Sequence, residues 1–228
     1  MEVVYEDNHI IIVNKAPGEI VQGDKTGTVP LLDIVKEWIK VKYAKPGNVF
    51  LGLVHRIDRP VGGLVVFAKT SKALSRMNNL FRQGKVRKTY LAIVHNRPPS
   101  DEERIECHLR SIEKINKTFV VEPDKEGAQY AALSYKLVAS SDNYFLLQIN
   151  LETGRKHQIR AMLSNIGCPI HGDIKYGDRR TNTDGSIDLL AYRIQFEHPV
   201  SHNIIDITAP CPDKRLWHAL FDNFNKTS

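Results

Sequence analysis

Short apolar runs, separated by turn residues, dominate the pattern of hydrophobic and polar positions along the chain. Runs rich in isoleucine and valine predict strands at 9–15 and 61–69, and apolar residues at helical spacing predict helices at 30–43 and 71–83. From residue 89 onward the pattern changes to strand-like segments joined by turns, at 89–94, 104–110, 117–121, 128–139 and 144–151. Late strands at 187–196 and 204–208 and a closing helix at 214–224 complete it. Because strands follow strands, the pattern predicts an α+β fold with a mixed, mostly antiparallel central sheet and flanking helices.

Two helix starts are predicted from capping residues. Ser71 has the side chain of a good N-cap for a helix that extends to about Gln83, and Gly84 is placed to end it. Thr153 is the predicted N-cap of a further helix, at about 156–165.

The length of the chain fits one domain. We expect a single domain over residues 1–228, in which the proline-rich break at 97–101 is the candidate seam between two lobes. The alternative for 97–101 is an ordinary loop.

Charge and cysteine content narrow the classes of function. The chain carries 32 Lys and Arg against 26 Asp and Glu, a net charge of +6, and its sequence pI is about 9.2. A basic surface attracts polyanions, most often nucleic acid, although a solvated lysine-rich surface has the same composition. The three cysteines form no Cys-x-x-Cys pair, which argues against a disulfide framework and a structural zinc site. The chain has no apolar signal core and no run long enough to span a membrane, so we expect a cytoplasmic protein.

Several common catalytic motifs are missing from the sequence. There is no phosphate-binding loop, no dinucleotide-binding glycine pattern, no His-Glu-x-x-His and no Gly-x-Ser-x-Gly. The nine histidines are scattered and form no local ligand cluster. The sequence therefore predicts neither a metal site nor a cofactor.

Three segments are dense in residue types that folding alone does not require. The first is His55-Arg56-Ile57-Asp58 with the Arg-Pro-Val-Gly-Gly that follows it, the second is Lys88-Thr89-Tyr90, and the third spans 153–160, Thr-Gly-Arg-Lys-His-Gln-Ile-Arg. A Gly-Asp-x-x-Tyr-Gly sequence follows at 172–177. Alone, Asp58 would be an ordinary turn aspartate.

Taken together and in order, these segments resemble the catalytic domain of the RluA-type RNA pseudouridine synthases. The family carries His-Arg-Leu-Asp, Lys-x-Tyr, Thr-Gly-Arg-x-His-Gln-Ile-Arg and Gly-Asp-x-x-Tyr-Gly, and the opening Asn14-Lys15 and Pro17-Gly18 also fit. The resemblance covers nearly the whole chain. It implies the pseudouridine synthase fold with a central active-site cleft and an enzyme that isomerises uridines in structured rRNA or tRNA, without metal or cofactor. The S4-type RNA-binding domain of many members is expected to be missing.

The resemblance also implies roles for individual residues. Asp58 is the expected catalytic carboxylate, which either adds to the uracil ring or assists cleavage of the glycosidic bond. Tyr90 is expected to stack on the target base, and Arg160 to keep Asp58 ionised through its positive charge. Arg56 is the expected residue that fills the place of the displaced base. The weaker candidates for RNA contacts are Arg59, Arg155, Lys156 and His157, whereas His171 and Asp173 are expected to be structural.

One departure from the family pattern lies beside the catalytic residue. The family usually has Thr-Ser-Gly where this chain has Val61-Gly62-Gly63. A hydroxyl near the turn is therefore lost, and with it any role in orienting Asp58.

Two other classes of function compete with an active synthase. One is a catalytically silent RNA-binding module on the same scaffold, and the other is a metal-dependent nuclease or phosphoesterase that uses scattered His and Asp. The presence of Asp58, Tyr90 and Arg160 argues against the first, and the lack of a local ligand cluster argues against the second. A monomer is expected.

Overall fold

The computed structural model describes residues 1–23 and 27–227. The strands in this part of the chain are β1 (Glu2–Glu6), β2 (Ile10–Lys15), β3 (Gly52–Leu53), β4 (Gly62–Ala68), β5 (Arg87–Val94), β6 (Glu102–Ile112), β7 (Lys117–Val121), β8 (Gln129–Ser140), β9 (Phe145–Leu151), β10 (Leu189–Glu197) and β11 (Ile204–Thr208). The helices are α1 (Leu31–Lys42), α2 (Ser71–Arg82), α3 (Gln158–Asn165) and α4 (Arg215–Thr227). Antiparallel strand pairs predominate, which confirms the predicted α+β class with a mostly antiparallel sheet.

The chain divides into two compact units. The first comprises Met1–Arg87 and Ala191–Ala209, and the second comprises Lys88–Leu190 and Pro210–Ser228. The loop at 97–101 connects β5 to β6 inside the second unit. A seam at this loop stays a prediction.

In the first unit, β2 and β4 form the centre of the core. They pair antiparallel from Ile10 opposite Ala68 to Lys15 opposite Gly63, and β1 lies on the other side of β2. On one face of these strands, Ile11, Val13, Val65 and Phe67 are buried in a cluster with Val35 and Ile39 of α1. These isoleucine- and valine-rich strands therefore provide a rigid base for the loop that precedes β4.

In the second unit, the strand order is β5-β9-β8-β6-β7. The register places Tyr90 opposite Ile149. Helix α4 contributes Trp217, whose side chain is buried and whose Nε1 donates to Asp188 Oδ1 at 2.9 Å. The strands follow one another along the chain as the sequence predicts, but their order in the sheet is not sequential, because β5 pairs with β9 and β6 pairs with β8.

Both predicted helix caps differ from the observed ones. Helix α2 is capped by Thr70 rather than Ser71, and the Thr70 hydroxyl accepts from Ala73 N at 3.1 Å. Helix α3 begins only at Gln158, and its N-cap is His157, at a φ of 52°. Thr153 does not cap this helix, because its hydroxyl bonds instead to Gln158 Oε1 at 2.8 Å and accepts from Ala132 N at 3.0 Å. The hydroxyl of Thr153 thus ties the loop to β8.

Among the helices that the structure describes, none combines the length and the apolar composition needed to cross a membrane.

Candidate active site

Asp58 opens a tight turn immediately before β4. Val61 N donates to Asp58 O at 3.1 Å, the hydrogen bond that closes a four-residue turn, and Pro60 lies inside it. The Asp58 side chain is half-buried. Since β4 lies in the core and fixes the end of the turn, the backbone of Asp58 is held at a defined place in the first unit.

The next residue anchors this turn to the loop that follows β2. Gly18 N donates to Arg59 O at 2.8 Å, and Arg59 Nε donates to Gly18 O at 3.1 Å. Gly18 has a φ of 90°, a conformation that favours glycine. The reciprocal pair makes the Pro17-Gly18 segment part of the scaffold around Asp58.

Lys15 also belongs to this scaffold. Its side chain is 1% exposed, and its Nζ donates to three backbone oxygens, of Ala16 at 2.9 Å, Glu19 at 2.8 Å and Arg59 at 3.1 Å. Burial lowers the pKa of Lys15 to about 8, although the negative charges of Glu19 and Asp58 oppose the shift. The ammonium group therefore holds the turn in place through Arg59 O and interacts electrostatically with Asp58.

His55, the first residue of the His-Arg-Ile-Asp segment, fixes the chain on the other side of Asp58. Its Nε2 accepts from Val66 N at 3.1 Å, so the ring is not doubly protonated when this bond forms. The ring also stacks on Phe81 of α2 at 5.1 Å between centroids. His55 thus has a structural role in placing the segment.

In the segment Val61-Gly62-Gly63, packing explains Val61 and Gly63, whereas the structure gives no explanation for the loss of the hydroxyl. Val61 is 2% exposed and fills the core at the start of β4. Gly63 has a φ of 114°, and a Cβ at this position would lie 2.4 Å from Ala191 O. Only glycine fits there, because L side chains rarely adopt this φ and the neighbour is backbone.

In the second unit, the predicted base-stacking residue Tyr90 lies on β5 and is half-buried. Lys88, two residues earlier, lies close to Gly154, at which a Cβ would meet Lys88 Nζ at 3.3 Å. Burial lowers the pKa of Lys88. The Lys-x-Tyr segment and the Thr-Gly-Arg segment are therefore neighbours in this unit.

Arg160 is held by a buried ion pair in the second unit. Its Nε donates to Asp173 Oδ2 at 2.7 Å and its Nη2 to Asp173 Oδ1 at 2.9 Å, and both residues are at most 5% exposed. The guanidinium carbon also lies 4.9 Å from the centre of the Tyr176 ring. A bidentate pair with a stacked aromatic ring fixes the plane of the guanidinium group.

Tyr176 is in turn braced by two hydrogen bonds. Its hydroxyl accepts from Thr118 N at 2.8 Å and lies 2.8 Å from His157 Nδ1. Burial raises the pKa of Tyr176, so the phenol is neutral. His157 is 8% exposed, which places its ring in the interior beside Tyr176.

The other four residues predicted to contact RNA are exposed. Arg56 Nη1 donates to Gln22 Oε1 at a long 3.4 Å, and Arg155 Nε donates to Tyr130 O at 3.0 Å. Lys156 Nζ lies 3.0 Å from Glu113 Oε2. Exposed pairs of this kind contribute about 0–1 kcal/mol, so these cations can exchange their partners for phosphates.

The predicted site residues thus form two groups, one in each unit. Asp58, Arg56 and Arg59 lie on the turn of the first unit. The second unit carries Tyr90, Arg155, Lys156, His157 and Arg160. Their individual roles in catalysis and RNA binding stay predictions.

Sequence reasoning assigned no role to two residues that position these groups, Lys15 and Tyr176. Asp173, which is expected to be structural, binds Arg160 in the interior. The available signal was their place inside family segments. A polar residue in such a segment, next to an apolar run, is a candidate for a buried contact with a catalytic group.

The comparison with known families decides which kind of protein this is. Residues 9–165 match the family model described as RNA pseudouridylate synthase. The chain belongs to this family. The matched region contains Asp58, Tyr90 and Arg160, whereas Asp173 and Tyr176 lie beyond its end.

Relatives and solved structures agree with this membership. The chain is 34% identical over 218 residues to the ribosomal large subunit pseudouridine synthase C of Buchnera aphidicola, covering 91% of this chain and 66% of the relative. It is 30% identical over 229 residues to the uncharacterized RNA pseudouridine synthase YlyB of Bacillus subtilis, covering 99% and 73%. It therefore spans about two thirds of the length of the curated relatives that it matches.

A human structure has the same fold. The human RNA pseudouridylate synthase domain containing 4 has a TM-score of 0.79 at 22% identity, over 98% of this chain and 93% of that one.

Separating Arg160 from Asp173 will destabilise the protein strongly. We expect Arg160→Met and Asp173→Asn each to cost about 3–5 kcal/mol in the free energy of unfolding, because each leaves an uncompensated buried group. The double variant will cost less than the sum of the two by about 1–3 kcal/mol. Denaturant unfolding of the four proteins in a double-mutant cycle measures the coupling.

A matched control exists in the first unit. Arg193 and Asp206 also form a bidentate pair, at 2.7 and 2.5 Å, but their side chains are 42% and 37% exposed. The same cycle at this pair will give a coupling of about 0–1 kcal/mol. Equal couplings at the two pairs would contradict the argument from burial.

Proposed function

We propose that this protein isomerises specific uridines in structured RNA to pseudouridine, with Asp58 as the catalytic carboxylate. The observation that carries the proposal is the family match over 9–165, which includes Asp58 on an anchored turn. Tyr90 and Arg160 lie in the same matched region. Together they supply a carboxylate, an aromatic ring and a cation, the groups that the reaction requires.

The proposed reaction exchanges the bond that joins the base to the ribose. The bond from uracil N1 to the ribose C1′ breaks, the base turns, and a bond from C5 to C1′ forms. C5 then loses its proton and N1 gains one, so that atoms and charge balance without oxidant, metal or water. Asp58 acts by adding to the uracil or by assisting cleavage at the sugar, and either route requires the ionised carboxylate.

Two cations support the ionised form of Asp58 in this proposal. Lys15 interacts with it electrostatically inside the first unit, and desolvation of the ammonium group strengthens that interaction. Arg160 is the proposed second partner during catalysis, and Asp173 and Tyr176 position its guanidinium group. A carboxylate that became protonated could not attack, so this charge balance favours activity.

RNA binding is proposed to combine stacking with phosphate contacts. Tyr90 stacks on the target base, an interaction of about 1–3 kcal/mol, and its hydroxyl is the proposed aid to removal of the C5 proton. Arg56, a planar cation two residues before Asp58, occupies the space of the displaced base. Arg59, Arg155 and Lys156 contact the RNA backbone, while the buried His157 acts indirectly by bracing Tyr176.

We propose rRNA as the first substrate to test and tRNA as the second. The Buchnera relative and several others are named ribosomal large subunit pseudouridine synthases, which supports this order. A monomeric, cytoplasmic protein is part of the same proposal.

The decisive experiment maps pseudouridine across rRNA and tRNA from cells with and without the gene. We expect one or a few uridines to lose the modification and to regain it when the gene is restored. The purified protein will modify the same uridines in unmodified transcripts, in the presence of EDTA and without cleaving the strand.

Two outcomes would overturn the proposal. Unchanged maps together with an inactive but RNA-binding protein would favour a silent RNA-binding module. Strand cleavage that EDTA abolishes would favour a nuclease.

A further inference from the structure

Three residues that are far apart in sequence converge in the second unit. His95 follows β5, and His171 and Asp178 lie in the loop between α3 and β10. One ligand atom from each lies within 4.8 Å of those of the other two. The sequence shows no local cluster of ligands, but the fold brings two imidazoles and a carboxylate together.

We propose that His95, His171 and Asp178 form a binding site for a divalent transition-metal cation of the zinc class. Imidazole nitrogens favour Zn²⁺ and its neighbours in the first transition row, whereas Mg²⁺ and Ca²⁺ favour a shell made only of oxygen atoms. Two histidines and one carboxylate leave a fourth position of a tetrahedral ion for water.

Existing hydrogen bonds orient two of the three ligands. His171 Nδ1 lies 2.5 Å from Asp188 Oδ2, which leaves its Nε2 to coordinate the ion. Asp178 Oδ2 accepts from Gly172 N at 2.6 Å, which leaves Oδ1 on the side of His95. A histidine whose second nitrogen bonds a carboxylate is the usual arrangement around a protein-bound metal.

The spacing of the ligands is too wide for direct pairing and suits a bridging ion. His95 Nε2 lies 3.7 Å from Asp178 Oδ1, beyond hydrogen-bond distance. A tetrahedral ion with bonds of about 2.0–2.1 Å holds its ligand atoms about 3.3 Å apart. Ligand atoms that lie within 4.8 Å of one another therefore need to approach by at most about 1.5 Å. The His95 side chain is 37% exposed and has room for this movement.

The surroundings fix the rings and supply negative charge. The Tyr144 ring packs against His95 at 4.7 Å and against His171 at 5.3 Å between centroids. Asp188 adds a second carboxylate, which accepts from Trp217 Nε1 and lies 4.0 Å from Lys214 Nζ. With two carboxylates against one nearby ammonium group, the cluster has the charge to accept a cation.

Binding at this site would fasten the end of β5 to the loop at 171–178. The same loop carries Asp173 and Tyr176, which hold Arg160. The ion is thus expected to stabilise the second unit, independently of any role in the reaction.

The test titrates EDTA-treated protein with Zn²⁺ by calorimetry, with Mg²⁺ in parallel. We expect a single equivalent of Zn²⁺ to bind, Mg²⁺ to bind much more weakly, and Zn²⁺ to raise the melting temperature. His95→Ala will weaken Zn²⁺ binding by at least about tenfold and reduce the rise in melting temperature. This variant keeps the test valid even if changes at the more buried Asp178 prevent folding, because His95 is partly exposed.

His218 provides a matched control. Its Nε2 lies 3.0 Å from Asp213 Oδ1 in an exposed pair of one histidine and one carboxylate. His218→Ala will leave Zn²⁺ affinity unchanged. Absence of Zn²⁺ binding, or binding that His95→Ala leaves intact, would overturn the proposal; in the second case, loss of binding after thiol alkylation would assign the ion to the cysteines.

Discussion

Asp58→Asn is expected to abolish uridine isomerisation while RNA binding changes little. The substitution keeps the shape of the side chain but removes the charge, and an amide neither adds to uracil nor assists glycosidic cleavage. Removal of an essential catalytic group lowers turnover by about 10⁴-fold or more. Single-turnover assays on the mapped RNA, with binding measured separately, will show whether the loss is in chemistry.

The fold should tolerate this change. The turn is closed by the backbone oxygen of Asp58 and Val61 N, and asparagine is as acceptable as aspartate at the first position of such a turn. Asp101→Asn is the matched control, because Asp101 is an exposed loop carboxylate whose partner is Arg97. Full activity in this control and retained turnover in Asp58→Asn would together remove Asp58 from the chemistry.

Gly63→Ala is expected to prevent stable folding. The added Cβ would lie 2.4 Å from Ala191 O and 2.7 Å from Ala191 N, and both atoms belong to the backbone of β10. The φ of 114° adds strain, since only glycine adopts it readily. We expect a loss of more than about 4–5 kcal/mol in the free energy of unfolding, a large part of the stability of an ordinary domain. Thermal and urea unfolding of the purified protein, or its recovery only from inclusion bodies, will measure the effect.

Gly84→Ala separates strain from steric overlap. Gly84 also has a positive φ, of 67°, but a Cβ there meets nothing within 4 Å. The control is therefore expected to cost only about 1–2 kcal/mol. If Gly63→Ala were no more costly than Gly84→Ala, the close approach of β4 and β10 would not be what requires glycine.

Strand and helix positions were largely accessible from the sequence. The strands β7 and β11 have the predicted bounds, and β2, β5, β8 and β9 differ by a few residues at most. Burial repeats every second residue in a strand and about every 3.6 residues in a helix, so that local pattern suffices to locate them. Strand β1 was not predicted, because three acidic residues within 1–7 obscure the alternation of apolar and polar positions. In the structure, one of these acids, Glu6, accepts hydrogen bonds from Lys42 and Lys69.

Helix starts were less accessible, because several residues compete for the same role. Ser71 and Thr153 both have good capping side chains, but Thr70 takes the first cap and a contact with β8 takes the hydroxyl of Thr153. Local propensity does not reveal which neighbour a hydroxyl will meet.

The sequence by itself determined the family, the secondary-structure pattern and Asp58 as the candidate catalytic residue. Ordered motifs along one chain carry that information without a structure. Only the tertiary structure decided which partners meet. Lys15 binds the backbone of the Asp58 turn, Asp173 pairs with Arg160, and His95 lies near His171 and Asp178. The physical reason is that a buried polar group requires a partner, and the strand order, rather than the distance along the chain, selects which partner it meets.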